Sequence, residues 1–290
     1  MGRLIVNADD FGLTPGVNRA IVELHRAGLL TSTTLMAQAA ATAEAVDIAR
    51  STPSLGVGCH VVLVDGEPVL SPRDEIPSLT NRVDGRFVAS LASFLFRLSH
   101  EALFPGSLAR EIEAEAAAQI HLLQSSGVRL THIDTHKHTH MFPAVLRPVL
   151  RAAGAAGIRA VRNPFEPEWG LLATHRAPWL RRTEVTILHR LEPTFMRIVA
   201  EEGFTTTDGS IGVLATGTLD AAAVNSLLRS IPPGTWELVT HPGYNDAMLA
   251  QSRTRLLASR DVEREALREL EHFPTLELTS FAGLLPEVET

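Results

Sequence analysis

Short β-favouring runs alternate with stretches of helical periodicity along most of this 290-residue sequence. Residues 4–6 predict a buried strand, and Thr14 followed by Pro15 is typical of a helix N-cap and first helical residue, opening a helix that ends near Gly28. Parallel strands need a crossover between them, so this alternation indicates βα units. Seven or eight such units without linker-like composition predict one α/β domain, residues 1–290, folded as a single irregular, TIM-like (β/α) barrel.

The remaining elements follow the same two patterns. Further strands are predicted at residues 31–36, 55–63, 130–134, 158–161, 236–240 and 276–278, and further helices at 42–50, 107–124, 144–156, 219–229 and 261–270. Two stretches, at about 64–87 and 163–192, are rich in turn-forming residues and have neither periodicity. We expect them to be long inserted loops, and loops of this length are commonly functional.

Composition excludes several functional classes. The formal charge is −7, from 26 Lys+Arg against 33 Asp+Glu, and no basic run is present, which argues against nucleic acid as a partner. The first apolar run is too short for a signal-peptide core, and no window has the apolar length of a membrane span, so we expect a cytoplasmic protein without a transmembrane segment. The single cysteine, Cys59, excludes a thiolate metal cluster, so a metal site must use His, Asp or Glu.

Polar residues follow four of the predicted strands. They are Asn7-Ala8-Asp9-Asp10, then Cys59-His60, then the run from Asp134 to His140, and finally Thr240-His241-Pro242-Gly243. In parallel α/β folds the ligand site lies beyond the carboxyl ends of the strands. We therefore expect these groups to meet in one site.

The adjacent acids Asp9 and Asp10 have two interpretations. Aspartate is a common turn residue, so the pair can simply close a loop. Two buried carboxylates side by side are costly, however, unless a cation or a shared proton relieves their repulsion. A divalent metal would do so, with one carboxylate binding the ion and its neighbour serving as a general base toward water.

The histidine run that follows Asp134 leaves its ligands open. His136, His138 and His140 all face one way if the run is extended, whereas only His136 and His140 share a face if it is helical. Asp134 is either a residue that orients a ligating histidine or an ordinary strand-end residue.

The other candidates stand alone in the sequence. His60 is a core histidine or a ligand, and its neighbour Cys59 falls on the opposite face of the strand, where we expect it to pack. His241, before Pro-Gly, is a turn residue or a functional acid. Arg162 follows a strand and could hold a carboxylate or substrate hydroxyls.

Together, the motifs NADDFG, GCHVVL, DTHKHTH and HPG, which begin at Asn7, Gly58, Asp134 and His241, resemble those of the YdjC-like carbohydrate deacetylases. That family includes chitooligosaccharide deacetylases and deacetylases of hopanoid-linked amino sugars. The similarity runs from residue 3 to about residue 270. Residues 64–70 and 160–164 look closer to the hopanoid-type members.

This resemblance implies an irregular (β/α) barrel that removes the N-acetyl group from a chitooligosaccharide or a lipid-linked N-acetylglucosamine and releases acetate. It implies one divalent ion, Mg or Zn, with Co or Ni also compatible, bound by an aspartate and two histidines, and it allows a homodimer. Carried over by motif, the ligands are Asp10, His60 and His136.

The same motifs carry the remaining roles of the family. Asp9 becomes the base, and we assign the acid to His241. His138 and His140 become substrate or supporting groups, although the spacing leaves His140 as a rival ligand to His136.

Two other functions compete with this interpretation. A metal-dependent phosphoesterase or amidohydrolase also combines a barrel with clustered histidines, but such barrels usually carry His-x-His on the first strand and bind two metals. A metal-storing or sugar-binding protein would bind sugar without releasing acetate.

Overall fold

The computed structural model describes residues 2–252, 254–274 and 276–285. Its strands are β1 (Gly2–Phe11), β2 (Ser32–Leu35), β3 (Gly56–Val61), β4 (Leu130–Thr135), β5 (Gly209–Ile211), β6 (Gly234–Thr240) and β7 (Glu277–Thr279). Its helices are α1 (Pro15–Arg26), α2 (Thr42–Ser51), α3 (Leu91–Leu103), α4 (Leu108–Ser125), α5 (Pro143–Ala155), α6 (Glu168–Ala173), α7 (Trp179–Leu188), α8 (Glu192–Glu201), α9 (Ala221–Arg229), α10 (Ala247–Gln251) and α11 (Ser259–Ala266). The fold is α/β.

Six parallel strands, in the order β4-β3-β2-β1-β6-β5, form a sheet that curls into a half-barrel. The short β7 pairs with the beginning of β1. Strand alternation gives the sheet two different faces. Leu4, Val6 and Ala8 of β1 belong to the large hydrophobic core, whereas Ile5 packs in a small separate cluster with Phe281. The next residues on the Ile5 side of β1 are polar, so the concave face becomes polar toward the carboxyl ends of the strands.

Several predicted elements need correction. The strand expected at 158–161 is reduced to isolated parallel bridges, Ile133 with Val161 and Ala160 with Thr205. These bridges continue the sheet beyond β4, but a closed TIM-like barrel of seven or eight βα units stays a prediction. The stretch 163–192 is not one irregular loop, because it contains α6 and α7. Helices α3, α8 and α10 and strand β5 were not predicted.

The segment 64–87, which contains neither helix nor strand, is fastened to α4 by buried carboxylates. Glu115 accepts hydrogen bonds from the backbone N–H groups of Val69, at 2.8 Å, and Leu70, at 3.1 Å. Glu111 accepts one from Ser78 at 2.7 Å. Glu111 and Glu115 of α4 therefore anchor this loop to the helix.

Within the described ranges, no helix is both long enough and apolar enough to cross a membrane.

Candidate metal centre and active site

The carboxyl end of β1 carries both aspartates, and each is 3% exposed. Asp9 keeps the alternation of the strand and lies with Asn7 on the concave face, where the Asn7 amide donates to Asp9 Oδ1 at 2.9 Å. Asp10 has a φ of 64°, in the left-handed region that is uncommon for residues other than glycine. This turn takes Asp10 out of the alternation, so the two neighbouring carboxylates reach different partners.

Three atoms from three strand ends form a compact set of donors. Asp10 Oδ1 lies 3.6 Å from His60 Nε2 and 3.4 Å from His136 Nδ1, and the two ring nitrogens are 3.2 Å apart. Metal–ligand bonds of about 2.0–2.1 Å at octahedral or tetrahedral angles place neighbouring donor atoms about 2.9–3.4 Å apart. Asp10 Oδ1 is buried and has no hydrogen-bond partner among the described residues. The three donors therefore fit one divalent cation with little movement.

The Asp134 carboxylate orients the His60 ring on the side away from the other two donors. Nδ1 of His60 lies 2.8 Å from Asp134 Oδ1, which in the neutral ring fixes the proton on Nδ1 and leaves the Nε2 lone pair facing Asp10 and His136. Burial lowers the pKa of His60, but the surrounding aspartates outweigh burial and raise it to about 9. The negative potential at this ring favours a bound cation.

Arg162 is fully buried and holds carboxylates from three strands. Its Nη1 and Nη2 donate to Asp9 at 2.9 and 2.6 Å, its Nε donates to Glu237 at 2.8 Å, and Nη1 also contacts Asp134. Burial raises the pKa of Asp9, but Arg162, together with His60 and His241, more than offsets this and holds it below its usual range. Asp9, His60 and Asp134 form a second donor group of suitable spacing, yet its two carboxylates already bind the guanidinium.

His241 lies between two carboxylates, those of Asp9, the candidate base, and Glu263. Its Nε2 is 3.8 Å from Asp9 Oδ2, and its Nδ1 is 3.6 Å from Glu263 Oε2, which also accepts the backbone N–H of His241 at 2.6 Å. Burial lowers the pKa of His241, but Glu263, Asp9 and Asp10 together raise it above the usual value. The side chain is 11% exposed. This environment favours an imidazolium that substrate can still reach.

The other histidines of the cluster lie outside the donor set. Both nitrogens of His140 are engaged, Nδ1 with Thr135 Oγ1 at 2.8 Å and Nε2 with the carbonyl of Arg162 at 3.2 Å. Burial lowers the pKa of His140 to about 4, so the ring is neutral. Nδ1 of His138 is buried and has no hydrogen-bond partner among the described residues. His132 is stacked against Phe281, 3.8 Å between ring centroids.

The sole lysine, Lys137, does not face the donors. Its ammonium pairs with Asp65 at 2.9 Å, at the start of the segment 64–87. Lys137 and Asp65 both have positive φ, of 57° and 58°. The ion pair joins the turn that carries His136 and His138 to that segment, and the charge of Asp65 balances the charge of the lysine.

Three charged residues of the site were missed from the sequence. Glu237 interrupts an apolar run in β6, a signal that could have been read, since a charge inside a strand is rare without a partner. Arg260 and Glu263 come from α11, a helix whose sequence, SRDVEREA, is too polar to indicate a buried face. The guanidinium of Arg260 contacts Asp10 Oδ2 at 2.5 Å.

Among the described residues, the buried carboxylates of the site outnumber its buried guanidinium groups. There are five carboxylates and two guanidinium groups, an excess of three negative charges if all are ionised and the histidines are neutral. The carboxylates are those of Asp9, Asp10, Asp134, Glu237 and Glu263, and the guanidinium groups are those of Arg162 and Arg260. Burial raises the pKa of Glu237 to about 7, which makes this excess smaller near neutral pH. A divalent cation and a protonated histidine would balance it.

Comparison with known proteins gives one family match and several relatives. The family model described as YdjC-like protein matches residues 3–277. A carbohydrate deacetylase of Brevibacillus brevis is 34% identical over 290 residues, which cover 97% of this chain and 99% of that protein. A chitooligosaccharide deacetylase of Salmonella schwarzengrund is 41% identical over 156 residues, 53% of this chain and 57% of that protein.

Two solved structures share the fold. A protein of Enterococcus faecalis V583, described as a putative cellobiose-phosphate cleavage protein, has a TM-score of 0.74 at 26% identity and covers 98% of this chain and 99% of its own. The lactam utilization protein of Thermus thermophilus has a TM-score of 0.53 at 14% identity and covers 96% of this chain and 99% of its own. The second similarity concerns the fold alone.

Proposed function

The chain belongs to the YdjC-like protein family, and we propose that it is a divalent-metal-dependent hydrolase that removes the N-acetyl group from an amino sugar and releases acetate. Its relatives named carbohydrate deacetylase and chitooligosaccharide deacetylase support the substrate class. The observation that carries the proposal is the triangle of Asp10, His60 and His136 donors beside Asp9 and His241. The Asp10 oxygen of this triangle has no hydrogen-bond partner in the part of the chain that the structure describes.

Asp10, His60 and His136 would hold the ion. One carboxylate oxygen and two imidazole nitrogens suit Zn²⁺, Co²⁺ or Ni²⁺, and also Mg²⁺ when waters complete its coordination. When bound, the ion supplies Lewis acidity, which polarises the acetyl carbonyl and makes water easier to deprotonate. We propose Mg²⁺ or Zn²⁺ as the resident metal.

Asp9 acts as the general base. Its carboxylate is ionised and fixed by two hydrogen bonds from Arg162, with Oδ2 facing His241. It takes a proton from the water as that water forms a C–O bond to the acetyl carbon. Arg162 keeps the carboxylate in position and stabilises its charge before the proton arrives.

His241 acts as the general acid. An amide anion is a very poor leaving group, so the nitrogen needs a proton as the C–N bond breaks. The raised pKa of His241 keeps that proton available near neutral pH. Acetate and the free amino sugar leave. Asp9 then releases its proton to solvent and His241 takes one up again, which resets both groups for the next cycle.

The supporting histidines and Asp134 have separate roles in this proposal. Asp134 orients His60 and shares Arg162 with Asp9. His140 supports the backbone at Arg162. His138, whose Nδ1 has no hydrogen-bond partner among the described residues, contacts substrate.

The finer substrate assignment is also a proposal. We propose a chitooligosaccharide or a lipid-linked N-acetylglucosamine, including a hopanoid-linked one, as the molecule that presents the acetamide. The bridges at Ala160, Val161 and Thr205 support a closed irregular barrel around this site.

The test is a substrate panel. The protein is incubated with N-acetylated sugars and glycolipids, with and without chelator, and mass spectrometry follows the loss of one acetyl group. A chromogenic phosphate ester runs in parallel. We expect chelator-sensitive loss of acetyl from at least one amino sugar. Cleavage of the phosphate ester alone would favour the phosphoesterase alternative, and sugar binding without acetate release would favour a binding protein.

A further inference from the structure

The buried face of α11 is charged instead of apolar. The helix buries Arg260, Glu263 and Ala266, whereas Val262 is 49% exposed. Helices on the outside of a sheet normally bury their apolar stripe and expose their charges. Burying a guanidinium and a carboxylate costs several kcal/mol per ion unless each finds a partner. The partners of these two side chains therefore indicate what the helix is for.

Arg260 is completely buried against the donor aspartate. Its Nη2 donates to Asp10 Oδ2 at 2.5 Å, and its Nε and Nη1 have no hydrogen-bond partner within the described ranges. Its aliphatic stem packs closely under Gly243, where an added Cβ would lie 3.1 Å from Arg260 Cδ. The guanidinium is thus held in place by packing, and its only ion pair among the described residues is with Asp10.

Glu263 lies one helical turn further along the same face. Its Oε2 accepts the backbone N–H of His241 at 2.6 Å and lies 3.6 Å from Nδ1 of the same histidine. The carbonyl of Arg260 accepts the N–H of Gly243 at 3.2 Å, so the loop that carries His241 is bonded to the helix at two points.

We propose that α11 is a positioning element, in which Arg260 fixes the metal ligand Asp10 and Glu263 fixes the acid His241. Both halves rest on the proposed function. The Asp10 half needs only its metal site, whereas the His241 half also needs the proposed deacetylation.

The two oxygens of Asp10 explain why Arg260 matters. Oδ2 is bound by the guanidinium, which leaves Oδ1 facing His60 and His136. Without that bond the carboxylate can rotate, and Oδ1 loses its fixed place in the triangle. Removing a group that orients a metal ligand typically weakens metal affinity by about 10- to 100-fold.

The first test measures binding of Co²⁺ alone. Wild type, Arg260→Met and Arg268→Met are titrated with Co²⁺ and followed by absorption and calorimetry. Arg268 is the control, since it is an exposed arginine paired with Glu265 just beyond α11. We expect Arg260→Met to weaken Co²⁺ binding by about 10- to 100-fold and to change the absorption of bound Co²⁺, and Arg268→Met to match wild type.

Two results would overturn the Arg260 half. Unchanged Co²⁺ affinity with only a lower melting temperature would reduce Arg260 to a structural residue. Tighter Co²⁺ binding would show that its charge repels the cation more than its hydrogen bond helps. If Arg260→Met does not fold, Arg260→Lys replaces it, because lysine keeps the charge but lacks the planar fork. We expect Arg260→Lys to bind Co²⁺ more weakly than wild type, and wild-type affinity would refute the positioning role.

The second test uses Glu263→Gln. The amide oxygen can still accept the backbone N–H of His241, so the fold should survive. We expect unchanged Co²⁺ affinity, and a larger loss of rate on an amide substrate than on an activated ester, which needs no proton on departure. Equal losses on both substrates would overturn the Glu263 half. If no acetate is released by wild type from any sugar, the proposed function fails while the Co²⁺ result still decides the role of Arg260.

Discussion

Asp9→Asn and Asp10→Asn are nearly isosteric substitutions at neighbouring positions. We expect them to impair the protein in different ways, one through the reaction rate and the other through metal binding. The two oxygens of Asp10 face different positive partners, the Arg260 guanidinium and the proposed cation. An amide has one acceptor oxygen and can serve only one of them. Both oxygens of Asp9 face Arg162, which keeps Asp134 and Glu237 when Asp9 becomes neutral.

These contacts set the expected magnitudes. Asp10→Asn takes away the only ion pair of Arg260 among the described residues, and breaking a buried pair costs about 3–5 kcal/mol of stability. Asp9→Asn leaves Arg162 paired, so its cost should be nearer the about 1–3 kcal/mol of one impaired buried hydrogen bond. Loss of a general base, in contrast, slows the reaction by about 10²- to 10⁴-fold, or about 3–5 kcal/mol of activation free energy.

Metal content, melting temperature and acetate-release rate are measured for both variants. We expect Asp10→Asn to lose metal and to melt at the lower temperature, and Asp9→Asn to keep its metal and lose its rate. Metal loss in Asp9→Asn with retention in Asp10→Asn would show that the two roles are reversed. Equal effects of both substitutions on all three measurements would refute the separation of base and ligand.

Three further outcomes follow from the same contacts. His241→Ala should keep its metal and slow amide hydrolysis much more than hydrolysis of an activated ester, and equal losses would exclude it as the acid. Asp134→Asn should weaken metal affinity by about 10- to 100-fold through the orientation of His60, which a metal titration would measure against wild type. Glu263 raises the pKa of His241, and the protonated acid is lost as pH rises through that pKa. Glu263→Gln should therefore move the alkaline limb of the pH–rate profile to lower pH. An unmoved limb would count against the pairing of Glu263 with His241.

Much of the site could be predicted because parallel βα topology gathers the carboxyl ends of strands. Asp10, His60 and His136 come from three such ends, and the structure brings them within 3.6 Å of one another. From the sequence, His136 and His140 remain rival ligands, because residues four apart share one face if the run is helical. The structure separates them, since both nitrogens of His140 are engaged by Thr135 and Arg162.

The parts that escaped prediction depend on tertiary contacts. Arg260 and Glu263 lie on a short helix in which only Val262 and Ala266 are apolar, so its sequence does not indicate that two charged side chains are buried. The positive φ of Asp10 and Lys137 could not be predicted, because positive φ is uncommon for any residue other than glycine. The stretch 163–192 was misread because its prolines, which suggest loop, lie outside the helices α6 and α7 instead of within them.

The most direct test of the central claim is a metal titration of activity. Protein is stripped by chelator, shown to be metal-free by elemental analysis, and reconstituted stepwise with Zn²⁺ or Mg²⁺ while acetate release from an N-acetylated amino sugar is measured. The account predicts no activity in the stripped protein, and a rise in rate that is proportional to bound metal and ends at one ion per chain. Full acetate release by the metal-free protein would contradict it.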